Sequence, residues 1–126
     1  MVITIDGAAG VGKTTTAKKL ARKLGFGYLD TGAMYRAVTY FFIQHQVDIE
    51  SKNMVISSLD TLNLDVRFPI DRPTKIVLDG EDISEDIRKK VVTNRVSQVS
   101  AIEDVRKKMV KMQKEIVSNG NFVVEG

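Results

Sequence analysis

The chain has 126 residues, which favours one domain, and its 43% hydrophobic content is enough for a buried core. Nineteen basic against 16 acidic residues leave a formal charge of +3, compatible with an anionic small-molecule substrate; no basic block is interleaved with aromatics, so no nucleic-acid partner is expected. The lack of cysteine excludes disulfides, thiolate metal sites and cysteine nucleophiles, and neither a signal peptide nor a run of roughly 20 apolar residues is present, so a cytoplasmic protein without a membrane partner is expected.

Met1 to Ile5 reads as a β-branched strand, and Gly7-Ala8-Ala9-Gly10-Val11-Gly12-Lys13-Thr14 follows it. That stretch is Gly-x-x-x-x-Gly-Lys-Thr, the phosphate-cradling P-loop, set between a strand and an amphipathic run as the mechanism requires. Gly7, Gly10 and Gly12 leave no Cβ in the way of a phosphate, and successive N–H groups form an anion nest at a helix N-terminus. Lys13 is expected to reach the β- and γ-phosphates and the Thr14 hydroxyl to face a magnesium ion. The alternative is a glycine-rich turn that merely precedes a helix; the flanking strand and helix argue against it.

Helix one is expected from about Lys13 to Leu24, with Ala17, Leu20, Ala21 and Leu24 on one face and Gly25 as its stop. Lys18, Lys19, Arg22 and Lys23 form a solvated face. Phe26 to Asp30 is a short second strand, and strand, helix and strand this close together predict a right-handed parallel crossover. Asp30 and Thr31 then lie at the carboxyl edge of the sheet, where ligands bind in open α/β folds. Helix two runs from about Thr31, a candidate N-cap, to Gln46, with Ala33, Met34, Ala37, Val38, Phe41 and Phe42 inward. Arg36 falls in its second turn near the ligand edge; position alone leaves it evenly poised between a surface arginine and a ligand. His45, the lone histidine, reads as a surface or core residue.

A third helix is expected over Ser51 to Leu62, with Val55, Leu59 and Leu62 inward. Leu64, Val66 and Phe68 then alternate with Asp65 and Arg67 as a half-buried strand. Pro69 and Pro73 bracket a turn, Lys75 to Leu78 is a second strand, and Asp79-Gly80 signals a hairpin into Glu81 to Ile83. A small antiparallel sheet thus interrupts a parallel α/β pattern, most simply as a substrate-facing subdomain grafted on the core. One helix is expected over Val91 to Ser100, with Val92, Val96 and Val99 on a face, and another over Ile102 to Ser118, with Ile102, Val105, Met109, Met112 and Ile116 inward. Phe122 to Gly126 is an apolar strand ending in Glu125, the carboxylate a P-loop protein sets beside its loop to hold magnesium. The competing reading of Glu125 is an ordinary terminal residue.

Three segments together, Ile3 to Thr14, Tyr28-Leu-Asp-Thr-Gly-Ala-Met-Tyr-Arg36 and Ser97 to Ala101 with Val105-Arg106, resemble bacterial cytidylate kinases. Leu78 to Ile83 followed by Ile87-Arg88 resembles that family's antiparallel CMP-binding subdomain. The resemblance implies an α/β, three-layer P-loop kinase core with parallel strands in order 2-3-1, formed by residues 1–35 and 119–126, and an insert over about 63–100. It implies transfer of the ATP γ-phosphate to CMP or dCMP with Mg²⁺. Gly7, Ala8, Ala9, Gly10, Val11, Gly12, Lys13, Thr14 and Thr15 would hold ATP, and Thr14, Asp30 and Glu125 would stand at the metal. Thr31 and Arg36 would bind the CMP phosphate, Asp30 would belong to the CMP site near the magnesium–phosphate centre, and Ser97 and Arg106 would read the cytosine. Lys13 and Arg36 would be the catalytic cations. An arginine fork suits a phosphate, and phosphoryl transfer needs positioning and charge neutralisation more than a covalent intermediate.

In this family Glu-Gly is followed by Arg-Asp, then by an arginine-bearing lid and the last strands. None follows Gly126. The resemblance therefore implies the N-terminal portion of an enzyme that is monomeric at full length, with weak or absent activity of its own and an apolar edge at strand one that invites pairing with another chain. The alternative is a non-catalytic nucleotide-binding or self-associating fragment of a P-loop small-molecule kinase. A regulatory GTPase is disfavoured because no Asn-Lys-x-Asp segment is present to read guanine.

Overall fold

The structure, a computed structural model, describes residues 1–7, 12–70 and 72–126. Ala8, Ala9, Gly10 and Val11 of the expected phosphate loop lie outside the described residues. Strands β1 (Val2–Ile5), β2 (Gly27–Asp30) and β6 (Phe122–Glu125) form a parallel sheet, with helix α1 (Lys13–Leu24) between the first two in the chain. The order is β1-β6-β2. This differs from the expected 2-3-1 because three strands of the insert come between β2 and the last parallel strand, so the middle position is taken by the sixth strand of the chain and not the third. The register aligns Ile5, Glu125 and Asp30 at the carboxyl end of the sheet and Val2, Phe122 and Gly27 at the other.

Side chains alternate across a sheet, and here the alternation separates two apolar clusters. Val123 packs with Ala17 and Ala21 of α1, with Ile3, Ile5, Leu20, Phe26 and Tyr28 around them. Leu29 belongs to the larger cluster on the other side, with Val124 packed against it. The α1 stripe is narrower than expected: Leu24 is 43% exposed, because it closes the last turn, where the Phe26 N–H bonds back to Ala21 and the Gly25 N–H to Arg22.

Helix α2 (Thr31–Gln44) is the apolar centre of the larger cluster, burying Met34, Ala37, Val38, Phe41 and Phe42 as its spacing predicts. Thr39 is buried too, its hydroxyl donating to the Tyr35 carbonyl one turn back at 2.8 Å. His45 is exposed and its ring rests 4.4 Å from that of Phe41. The N-cap is Asp30 and not Thr31: the Asp30 carboxylate accepts the Ala33 N–H at 3.2 Å while Thr31 is already helical. Helix α3 (Lys52–Asp60), capped by Ser51, adds Val55 and Leu59.

Strands β3 (Leu64–Arg67), β4 (Lys75–Leu78) and β5 (Glu81–Asp82) form the expected antiparallel sheet. Leu78 pairs with Glu81 across Asp79-Gly80, both at positive φ (50° and 83°), the backbone of a two-residue type I′ hairpin. The sheet has no core to itself. Leu64, Val66, Ile76 and Leu78 share one cluster with α2, and Ile83 and the 3₁₀ turn at Asp86–Arg88 close it.

The single helix expected over Val91 to Ser100 is two short ones, α4 (Lys90–Thr93) and α5 (Val96–Ser100). Four valines, Thr93 and Asn94 are weak helix formers, and the helix breaks at Asn94-Arg95 while Val92 and Val99 are both buried. Helix α6 (Glu103–Val117) runs with Ile102 as its N-cap and buries Val105 and Met109; Met112 and Ile116 are half-buried.

Candidate active site at the carboxyl end of the parallel sheet

The shared register puts Glu125 at the end of the middle strand, beside Ile5 on β1 and Asp30 on β2. Counting by twos from Val123, Glu125 faces the α1 side of the sheet, and so do Tyr28 and Asp30 on the neighbouring strand. α1 begins directly opposite them. Gly12 caps it in the left-handed region (φ 79°), a conformation that costs a glycine little, and Lys13 and Thr14 open the first turn.

Five hydrogen bonds tie this corner together. Thr14 Oγ1 donates to Glu125 Oε2 at 2.8 Å, and Tyr28 Oη donates to Glu125 Oε1 at 2.6 Å. Thr31 Oγ1 donates to the Glu125 carbonyl at 3.0 Å. Lys13 Nζ donates to the Gly126 carbonyl at 2.8 Å and more weakly to the Gly7 carbonyl at 3.2 Å, so its ammonium spans the start of the glycine loop and the end of β6. Glu125 is only 7% exposed, and both of its carboxylate oxygens accept a hydroxyl hydrogen.

The electrostatics follow from burial. Burial pushes the Asp30 carboxyl above its usual range, and the nearby Glu125 charge adds to this against the Ala33 and Gly32 N–H groups. The Tyr28 phenol is raised well above its ordinary value by burial first and by its bond to Glu125 second, so it is a neutral donor.

The fold thus brings Lys13, Thr14, Asp30, Thr31 and Glu125 to one corner. Thr15 is exposed on the same turn. Arg36 is held elsewhere: its guanidinium donates to the Ile87 carbonyl at 3.2 Å and to Thr93 Oγ1 at 2.9 Å, which joins α2 to the insert. Ser97 and Arg106 lie exposed on α5 and α6, with no side-chain bond to the others among the described residues. A groove of about 510 Å³ runs along the outer edge of β2, between α1 and the loop joining β3 to β4; of the expected site residues Asp30 alone lines it.

The sequence alone assigns Tyr28 no role at the site. Its signal is positional: two residues before Asp30 on the same strand, it faces the same side, and a tyrosine is long enough to reach the diagonal neighbour on the next strand. Thr93, the partner of Arg36, carries no comparable signal.

A model of the cytidylate kinase family matches residues 3–126. The chain belongs to the cytidylate kinase family. It is 44% identical over 126 residues to a cytidylate kinase of Carboxydothermus hydrogenoformans, covering all of this chain and 56% of that protein. It is 43% identical to one of Caldanaerobacter subterraneus subsp. tengcongensis, over 98% of this chain and 53% of the relative. A bifunctional pantoate ligase/cytidylate kinase of Prochlorococcus marinus is 43% identical over 99% of this chain and 24% of its own length. The chain therefore spans just over half the length of these single-function cytidylate kinases.

Proposed function

We propose that this chain is the donor half, and part of the acceptor half, of an ATP-dependent kinase that phosphorylates CMP and dCMP, serving pyrimidine nucleotide metabolism in the cytoplasm. The observation that carries the reading is the Thr14–Glu125 bond beside Lys13, at the end of a parallel strand in a chain of the cytidylate kinase family. In this reading residues 7 to 15 hold the ATP phosphates. Lys13 exchanges its carbonyl partners for phosphate oxygens and neutralises charge as the γ-phosphoryl moves.

The residues fit a magnesium ion. Thr14 gives its one hydrogen to Glu125, which leaves its oxygen lone pairs for a hard cation. Glu125 and Asp30 supply carboxylates at the same sheet edge. That composition suits Mg²⁺, which takes most of its ligands from phosphates and water and only one or two from carboxylates. When bound, the ion would supply positive charge that neutralises the phosphates.

Arg36 serves the acceptor phosphate with its planar fork, and its bonds to Ile87 and Thr93 fix that fork to the insert. Thr31 assists from the first turn of α2. Ser97 and Arg106 meet the cytosine edge, and the insert over about 63–100 forms the acceptor wall. The test is a panel of CMP, dCMP, UMP, AMP and GMP with ATP and Mg²⁺ on the full-length protein, reading the diphosphates formed. CMP and dCMP are expected to lead. Phosphorylation of AMP without CMP would overturn the substrate assignment.

A further inference from the structure

We propose that Tyr28 is a positioning residue for the metal site, its phenol holding Glu125 in the one orientation that leaves the Thr14 oxygen open to the cation. The inference rests on the magnesium reading above. A buried carboxylate on a flexible glutamate has several rotamers. Two donors fix this one from opposite ends, Tyr28 Oη on Oε1 at 2.6 Å and Thr14 Oγ1 on Oε2 at 2.8 Å.

Tyr28 is itself held at three places. Its main chain is paired to Val123 in the sheet. Lys18 Nζ of α1 lies 5.7 Å from the centre of its ring, within cation–π range. Its carbonyl, on the free side of an edge strand, accepts the Thr74 hydroxyl of the insert at 2.7 Å. The phenol is therefore a fixed point and Glu125 the group that conforms to it. Without it, Oε1 of a residue only 7% exposed has no hydroxyl partner. Glu125 is then free to turn, and the Thr14 hydrogen loses its fixed acceptor. Outer groups that orient a metal's ligands change affinity by roughly ten- to a hundredfold when removed.

The test uses Mn²⁺ as the probe, its binding to the complex of full-length protein with ADP read by electron paramagnetic resonance. Tyr28→Phe is expected to weaken Mn²⁺ by roughly ten- to a hundredfold, to leave metal-free ADP affinity unchanged, and to add nothing on top of Glu125→Gln. If Glu125→Gln weakens Mn²⁺ and Tyr28→Phe does not, the role of Tyr28 is overturned and the metal reading stands. If Glu125→Gln is itself silent, the metal reading fails and the proposal with it. Equal loss of metal-free ADP would make Tyr28 merely structural and also overturn it. The wild-type protein offers a reading that needs no variant: the Tyr28 hydroxyl proton should give a resolved resonance that shifts when Mg²⁺ joins the ADP complex, and no shift counts against the proposal.

Discussion

Gly27 is the position where one methyl group should be felt both in stability and at the site. It pairs with Phe122 across the β2–β6 ladder, and a Cβ there would lie 2.7 Å from both Cδ1 and Cε1 of the Phe122 ring and 3.3 Å from Cδ1 of Phe68. Ordinary carbon contacts are about 3.5–4.0 Å, so the Phe122 ring must retreat by roughly 1 Å. It has little room to do so, being 9% exposed and packed edge-on against Phe68 at 5.0 Å. Overpacking of this kind costs about 1–3 kcal/mol. Replacing a strand glycine recovers roughly 0.5–1 kcal/mol of backbone entropy, which leaves Gly27→Ala destabilising by about 1 kcal/mol at the middle of the two ranges. Urea unfolding of the full-length protein should show a lower midpoint at unchanged slope. In a Phe122→Leu background, where the offending ring is gone, the same substitution should be neutral or mildly stabilising. Phe122 and Glu125 are the two ends of one strand, so the strained variant should also bind Mn²⁺–ADP less tightly. An unchanged midpoint, or an equal loss in both backgrounds, would refute the packing argument.

Arg36→Ala should weaken CMP by about tenfold to a hundredfold, the worth of one or two bonds from a charged donor, and leave ATP little changed in steady-state kinetics. An equal loss of both substrates would remove Arg36 from the acceptor site. Hydrogen exchange around residues 87–93 should rise in the same variant, since Arg36 joins α2 to Ile87 and Thr93. Lys13→Ala should lower turnover by on the order of a hundred- to a thousandfold through lost charge stabilisation; a rate near wild type would refute its role. The Asp82 carboxyl is held below its usual range by the Ser84 hydroxyl and N–H. Its stabilising contribution is complete above the unfolded value of about 3.9 and disappears as the pH falls through the lower folded value. Asp30 acts in the opposite sense, because its raised carboxyl is relieved by protonation. Asp82→Asn should therefore flatten the acid limb of a stability–pH curve without abolishing it, and an unaltered limb would show that the Ser84 contacts do not form.

The elements that were legible in the sequence are those whose residues carry a short-range reason. Asp79-Gly80 demanded a two-residue turn with positive φ at both positions, and the hairpin has it. Alternation in Leu64-Asp65-Val66-Arg67 fixed which side of β3 is buried. The helical spacing of Met34, Ala37, Val38, Phe41 and Phe42 named the buried face of α2. The errors fall where two local signals compete or where tertiary packing decides. Asp30 and Thr31 are both good caps, and Thr31 is drawn away because its hydroxyl reaches the Glu125 carbonyl. Val92, Val96 and Val99 suit one helical face on paper, yet the weak helix formers Thr93 and Asn94 let the chain break at Asn94-Arg95.

The site itself shows the same division. Lys13, Thr14 and Glu125 were readable because each stands at a fixed offset from a strand or helix end, and parallel pairing brings those ends to one edge. What spacing along the chain does not convey is which neighbour a side chain meets across the sheet. Tyr28 and Glu125 are 97 residues apart, and they touch only because β6 inserts between β1 and β2 in a register that aligns Asp30 with Glu125. Move that register by one residue and Glu125 would face the α2 cluster, a buried charge with neither hydroxyl to accept from. The two hydroxyl bonds therefore favour the registered sheet over its slipped alternative, and the same two bonds prepare the carboxylate for its proposed task. The requirement that a buried charge be satisfied and the requirement that a metal ligand be oriented are met by one pair of donors, Tyr28 and Thr14.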